Sequence, residues 1–131
     1  MKRVISVVFL FILLSVRICV ADEALISDLY KNKKSDVQVS GSGVVVKVLP
    51  DDNDGIRHQK FILRLENGIT LLVAHNIDLA PRLESLIESE IVEFNGEYEW
   101  NSKGGVIHWT HRDPNNRHIG GWLVYQGRKY Q

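Results

Sequence analysis

Cysteine is nearly missing from this 131-residue chain: Cys19 is the one thiol, and it stands among the first twenty positions. A disulfide framework is therefore excluded, and so is a zinc site built on cysteine pairs. Proline is scarce, at Pro50, Pro81 and Pro114, and no internal repeat or low-complexity tract occurs. Neither sign of charge prevails, since 16 basic residues face 16 acidic ones. A chain without basic excess is not a general nucleic-acid coat. A His-Glu-x-x-His pair and a Gly-x-Ser-x-Gly nucleophile elbow are also missing, which removes two common signatures of hydrolytic chemistry. The length is that of one domain.

The N-terminus is the clearest positive signal. Lys2 and Arg3 precede a run from Val4 to Val16 that only Ser6 and Ser15 interrupt, and Cys19-Val20-Ala21 then leads to Asp22. A basic start, an apolar run and small residues predict a signal peptide over 1–21. A spanning helix needs about 20 apolar residues, more than this run offers, so no stable transmembrane segment is expected after processing. Arg17 resembles the flank of an uncleaved anchor, the weaker reading. Lipidation at Cys19 would want a small residue just before it, and Ile18 stands there. The mature domain is expected to be periplasmic or secreted. Removal of Lys2, Arg3 and Arg17 leaves 13 bases against 16 acids, a net charge of −3. It also leaves no thiol, and about 110 residues can bury an adequate core without staples.

Charge is unevenly spread. Asp78 to Glu99 holds seven acids and one base, Arg82; Trp100 to Gln131 holds five bases and one acid, Asp113. That last quarter also carries three of the five histidines and all three tryptophans. A charge-polarised surface follows if both segments are solvated.

Residues 22–36 read as a polar N-terminal lead with a short helical pattern in Leu25, Ile26, Leu29 and Tyr30. From about Val37 to Leu49 the chain alternates as a strand, but Val37 and Val39 share one parity while Val44, Val46 and Val48 share the other. The switch predicts a bulge at Gly41-Ser42-Gly43, with Val39 and Val44 both facing the core. Pro50 to Gly55 is a turn cluster. Its acids fail the EF-hand spacing, which would need a carboxylate at Pro50 and a glutamate at Phe61, so a solvated hairpin tip is expected. A three-residue loop pairing Leu65 with Ile69 places Phe61, Leu63, Leu65, Ile69, Leu71 and Val73 on one face, with Gly68 left-handed. Pro81 with a stripe of Leu79, Leu83, Leu86 and Ile87 predicts a short helix. Val92, Phe94, Tyr98 and Trp100 then alternate with Glu93, Asn95, Glu97 and Glu99 in a strand with one wet side. A strand over Val106 to His111, a turn at Asp113-Pro114-Asn115-Asn116, and a hairpin of Trp122–Tyr125 and Arg128–Tyr130 complete the chain.

This order predicts a mainly β fold: a small OB-like five-stranded barrel over 37–131 with one short helix, between the third and fourth strands, and a C-terminal hairpin appendage. An SH3-like barrel or an irregular sandwich is the alternative.

The densest functional stretch comprises His108, Trp109, His111, Arg112, Asp113, Arg117, His118 and Trp122. These eight are the candidate ligand-binding residues. Histidines and an aspartate so close could hold a metal, yet His108 and His111 point to opposite faces of a continuous strand unless it bends between them. No cofactor and no catalytic residue is assigned. The competing reading is structural: indole and imidazole N–H groups can seal a small barrel, and Asp113 can cap its own turn. His75, after a strand, reads as a cap or loop anchor, and His58 as exposed.

The segments Gln59-Lys60-Phe61, His75 to Ala80, Asn95 to Asn101, Gly105 to His111, Asp113-Pro114 and Gly121-Trp122 resemble a family of small exported bacterial proteins, domain-of-unknown-function family 3465. The resemblance covers nearly all of the mature chain and is most specific at His108-Trp109-Thr110-His111. It implies a bacterial source and an exported domain, and it carries no activity with it.

The expected function is that of an exported binding module. A His/Arg/Trp patch would take an anionic ligand, an oligonucleotide, oligosaccharide or other anion. A metal-dependent hydrolase or nuclease using His108, His111, Asp113 and His118, or a structural envelope protein, are the alternatives.

Overall fold

A computed structural model of the chain describes residues 20–131; the expected signal segment, Cys19 included, lies outside them save for its last two positions. The element order is α1 (Val20–Lys31), β1 (Val37–Val48), β2 (His58–Arg64), β3 (Thr70–Asn76), β4 (Ile91–Glu99), β5 (Val106–His108), β6 (Trp122–Tyr125) and β7 (Arg128–Tyr130). The sheet runs β1-β2-β3-β5-β4-β6-β7, and a further β1–β4 pairing closes the first five strands on themselves. β3 and β5 are parallel, while the other pairs are antiparallel. This is an OB-like barrel with a C-terminal hairpin on β4.

Closure depends on β1 being long enough to pair twice. Val37 to Val44 run against Tyr98 to Ile91, and Val44 to Val48 run against Arg64 to Phe61. The ladder passes through Gly41-Ser42-Gly43 without interruption, so the expected bulge there is not found; the register shifts between Val45 and Lys47 instead. The parity of the valines misleads because glycines occupy the inner face. Val39, Gly41, Gly43 and Val45 point inward, and Val44 is only half-buried. A Cβ on Gly41 would lie 2.8 Å from the Phe94 ring, and one on Gly43 would lie 3.0 Å from Leu63 Cβ. Glycine is needed here for close approach across the narrow barrel, not for a kink.

The hairpin of β2 and β3 has the expected register. Leu65 N–H donates to Ile69 O at 2.9 Å, Leu63 faces Leu71, Phe61 faces Val73, and Gly68 has φ +88°. β4 is likewise as expected, with Val92, Phe94 and Tyr98 fully buried. The terminal hairpin turns at Gln126-Gly127, both left-handed.

The barrel ends are closed by different means. At the β2–β3 turn end, α1 inserts Ile26 and Leu29 into the core, and Trp100 Nε1–H donates to Tyr30 O at 3.0 Å. The segment read as a lead is thus packed on the barrel. At the other end no helix forms between β3 and β4; residues 77–90 are irregular, with Ser85 and Ser89 left-handed. The expected stripe fails because its backbone is held otherwise. Gln59, fully buried, accepts from Leu83 N–H at 2.8 Å and donates to Leu83 O at 3.0 Å. This side-chain amide replaces the partners a helix would supply. Leu83 plugs the core, while Leu79 and Ile87 are exposed. Arg82 meets Asp51 through two bonds of 2.9 and 3.0 Å, which ties the acidic tip to this segment. The Asp51 carboxyl is held below its ordinary range by that guanidinium.

Candidate functional site

β5 ends at His108, three residues earlier than the alternation suggests, because Trp109 is left-handed with φ +54°. A bulky residue there is a backbone outlier that the surroundings must enforce. Gly121 is one enforcing contact: its N–H donates to His111 O at 2.9 Å, and a Cβ there would collide with the carbonyls of Trp109 and Asn95. The bend has a chemical consequence. His108 and His111 do not diverge, as they would on a straight strand; both line one cleft of about 270 Å3.

The remaining walls of that cleft come from three other places. His58 and Ala74 belong to β2 and β3, Asn76 ends β3, and the exposed Ile56 and Leu79 form an apolar rim. Trp109 completes it. His58, Asn76, Ile56 and Leu79 are absent from the eight sequence candidates. The pairing of His58 with Asn76 across the hairpin follows from the register already predicted, and it is the signal that could have found them.

Three of the imidazoles, those of His58, His111 and His118, have a defined role for Nδ1. A carbonyl only accepts, so the facing ring nitrogen must carry hydrogen. His58 Nδ1 donates to Ile56 O at 2.9 Å, His111 Nδ1 to Arg112 O at 2.7 Å, and His118 Nδ1 to Ile119 O at 2.7 Å. His118 Nε2 lies 3.2 Å from Glu97 Oε2. His108 Nε2 lies 3.4 Å from the same oxygen and 3.5 Å from Glu99 Oε2. These are distances for charge attraction, yet His108 Nε2 is buried without hydrogen-bond geometry to any partner among the described residues. Glu97 thus stands between two histidines.

His75 is set apart by burial. Its Nε2 donates to Pro81 O at 2.9 Å, and the Thr110 hydroxyl donates to Nδ1 at 2.7 Å. Burial lowers its pKa to about 4, with smaller contributions of the same sign from His111 and His58. It anchors residues 77–90 to the segment after β5.

The other candidates separate. His118 stacks on Trp109 at 3.9 Å with the rings 9° apart, so one indole face is covered; His111 tilts against the same indole at 5.2 Å. Asp113 accepts from the N–H groups of Asn115, Arg117 and His118 at 3.0, 3.0 and 2.9 Å. These bonds, that from Asn115 foremost, lower its pKa, and they make it the cap of its own turn. Arg112, which follows the cleft residue His111, and Arg117 are both exposed. Trp122 is not among the cleft residues; it lies on the outer face of β6 with Lys129 Nζ 5.2 Å from its ring centre. Trp100 is similarly taken, with Lys33 Nζ at 5.5 Å. Among the described residues no group of three or more His, Cys, Asp or Glu side chains converges to hold a metal ion. The metal-dependent reading therefore lacks a preformed centre among them.

The model of one protein family, described as protein of unknown function (DUF3465), matches residues 7–131. The chain belongs to this family. No curated protein matches it. Family membership therefore brings no chemistry with it, and function rests on the site itself. Among the described residues no helix is long and apolar enough to cross a membrane.

Proposed function

We propose that this family member is an exported binding module whose ligand enters the cleft between the β1–β2 tip and the Trp109 bend. The observation that carries the reading is convergence: His58 from β2, His108 at the end of β5 and His111 just after it line one cleft beside an apolar rim. Strain at Trp109 supports it, since a left-handed tryptophan is kept only where packing or function over-determines it. The cleft is slightly smaller than the roughly 300–1,000 Å3 of drug-sized sites. It suits a single ring or short chain, or one unit of an oligomer that continues over the barrel face. Export rests on the basic start, apolar run and Ala21 boundary, and a periplasmic or secreted location follows from it.

The test is a titration with short oligonucleotides and oligosaccharides, followed by histidine side-chain NMR and tryptophan fluorescence. His58→Ala and Arg112→Ala are compared with wild type by thermal melt. Both variants should keep their melting temperature, because Arg112 is exposed and His58 only half-buried, and both should lose at least tenfold in affinity. Unchanged affinity in both would place the function elsewhere.

A further inference from the structure

Two of the cleft imidazoles share a constraint. His58 and His111 each commit Nδ1–H to a backbone carbonyl, at Ile56 and Arg112, at 2.9 and 2.7 Å. Only Nε2 is left to either ring, and it makes no hydrogen bond among the described residues. A ring in this state is an acceptor at Nε2; it becomes a donor only by taking a second proton there. His108 differs, its Nε2 being buried against Glu97 and Glu99.

The charges around the cleft favour a negative guest. Lys60 faces Ala74 in register, and Arg112 is exposed beside His111. The nearby acids are largely engaged: Asp78 by Arg57 at 2.7 Å, and Glu97 by His118 at 3.2 Å. Asp52, bridged to His58 through backbone bonds of 2.8 and 2.9 Å, accepts at its carboxylate from Asp54 N–H at 3.0 Å. Ile56, Leu79 and Ala74 line the same cleft and offer a surface for an apolar body. Trp109 is a poor platform for stacking, because His118 covers one of its faces.

Resting on the cleft reading above, we infer that the ligand is an oxyanion borne on an apolar or ring-shaped body, and that it binds together with protons taken up by His58 and His111. A carboxylate and a phosphate ester share this chemistry. Binding then weakens as pH rises, by about tenfold per pH unit for each proton taken up.

Four probes of similar size test the inference on the folded protein: benzoate, phenyl phosphate, benzamide and benzyl alcohol. Titrations between pH 5 and 8 are followed by histidine side-chain 15N shifts. The oxyanions should bind at least tenfold more tightly than the neutral pair at pH 5, shift His58 and His111, and lose affinity as pH rises. Tighter binding of phenyl phosphate or of benzoate then tells which of the two sources the cleft prefers. His58→Gln, at a half-buried position, should reduce oxyanion affinity and flatten the pH dependence while the melt is unchanged. Equal binding of the neutral probes, or a pH-independent Kd, overturns the inference and leaves the cleft reading intact. If no probe, charged or neutral, perturbs the cleft histidines, both fall.

Discussion

His75 shows how much one buried side chain can contribute at the scale of a residue. Folded, it stays neutral down to a pKa of about 4; unfolded, it protonates near its ordinary value of about 6.5. Between these values the unfolded chain binds the extra proton, so stability rises with pH. The contribution is complete above about pH 6.5 and is lost as pH falls toward 4, by about 3 kcal/mol. Chemical denaturation from pH 7 to 4 should show this slope. In His75→Gln the slope should flatten, although the variant is less stable throughout, because Thr110 and Pro81 lose a fitted partner. Asp51, Asp78 and Asp113, whose pKa values are all lowered, add a further loss at lower pH, as their carboxylates protonate. An unchanged slope in the variant would assign the whole profile to the aspartates.

At the scale of an element, the end of β5 decides the site. Trp109 leaves the strand in a left-handed turn, and its indole stacks on the imidazole of His118 and tilts against that of His111. Its residue is half-buried, so truncation should cost less than the roughly 3–5 kcal/mol of a fully buried tryptophan. Trp109→Ala should lower stability by about 2–3 kcal/mol in a denaturant melt, and should broaden the His118 ring resonances as the stack is lost. A loss below about 1 kcal/mol would show that Gly121 and the turn capped by Asp113 hold the bend without the indole. The segment between β3 and β4 makes the converse point. Its apolar spacing suits a helix, but Gln59 takes both backbone groups of Leu83, and only Leu83 of the stripe is fully buried. Periodicity reports which residues could share a face; it does not report a competing partner 24 positions earlier in the chain.

At the scale of the whole molecule, the core joins the barrel to α1. Ile26 and Leu29 are buried with Leu71, Phe94 and Tyr98 in one cluster. Cleavage before Asp22 would retain both residues, and the mature protein would keep this closure. Mass spectrometry of protein from a bacterial envelope fraction should find Asp22 at the N-terminus. Met1 on a membrane-embedded chain would overturn the processing assignment. The segment 22–36 belongs in part to the domain's core, although its composition resembles a linker.

What the amino-acid order determined by itself was whatever depends on near neighbours along the chain. The β2–β3 register follows from six apolar residues that only one loop length can place on a single face, the two faces of β4 from strict alternation, and the terminal hairpin from Gln126-Gly127. The strand order of an OB-like barrel was legible for the same reason. Tertiary structure alone decided the rest. The inward glycines of β1 look like a kink until Phe94 and Leu63 are seen to crowd them. The bend at Trp109 depends on Gly121 and His118, nine and more residues away. The cleft combines side chains 50 positions apart, so its histidines could be named as chemistry-bearing from composition, but their meeting required the barrel to close.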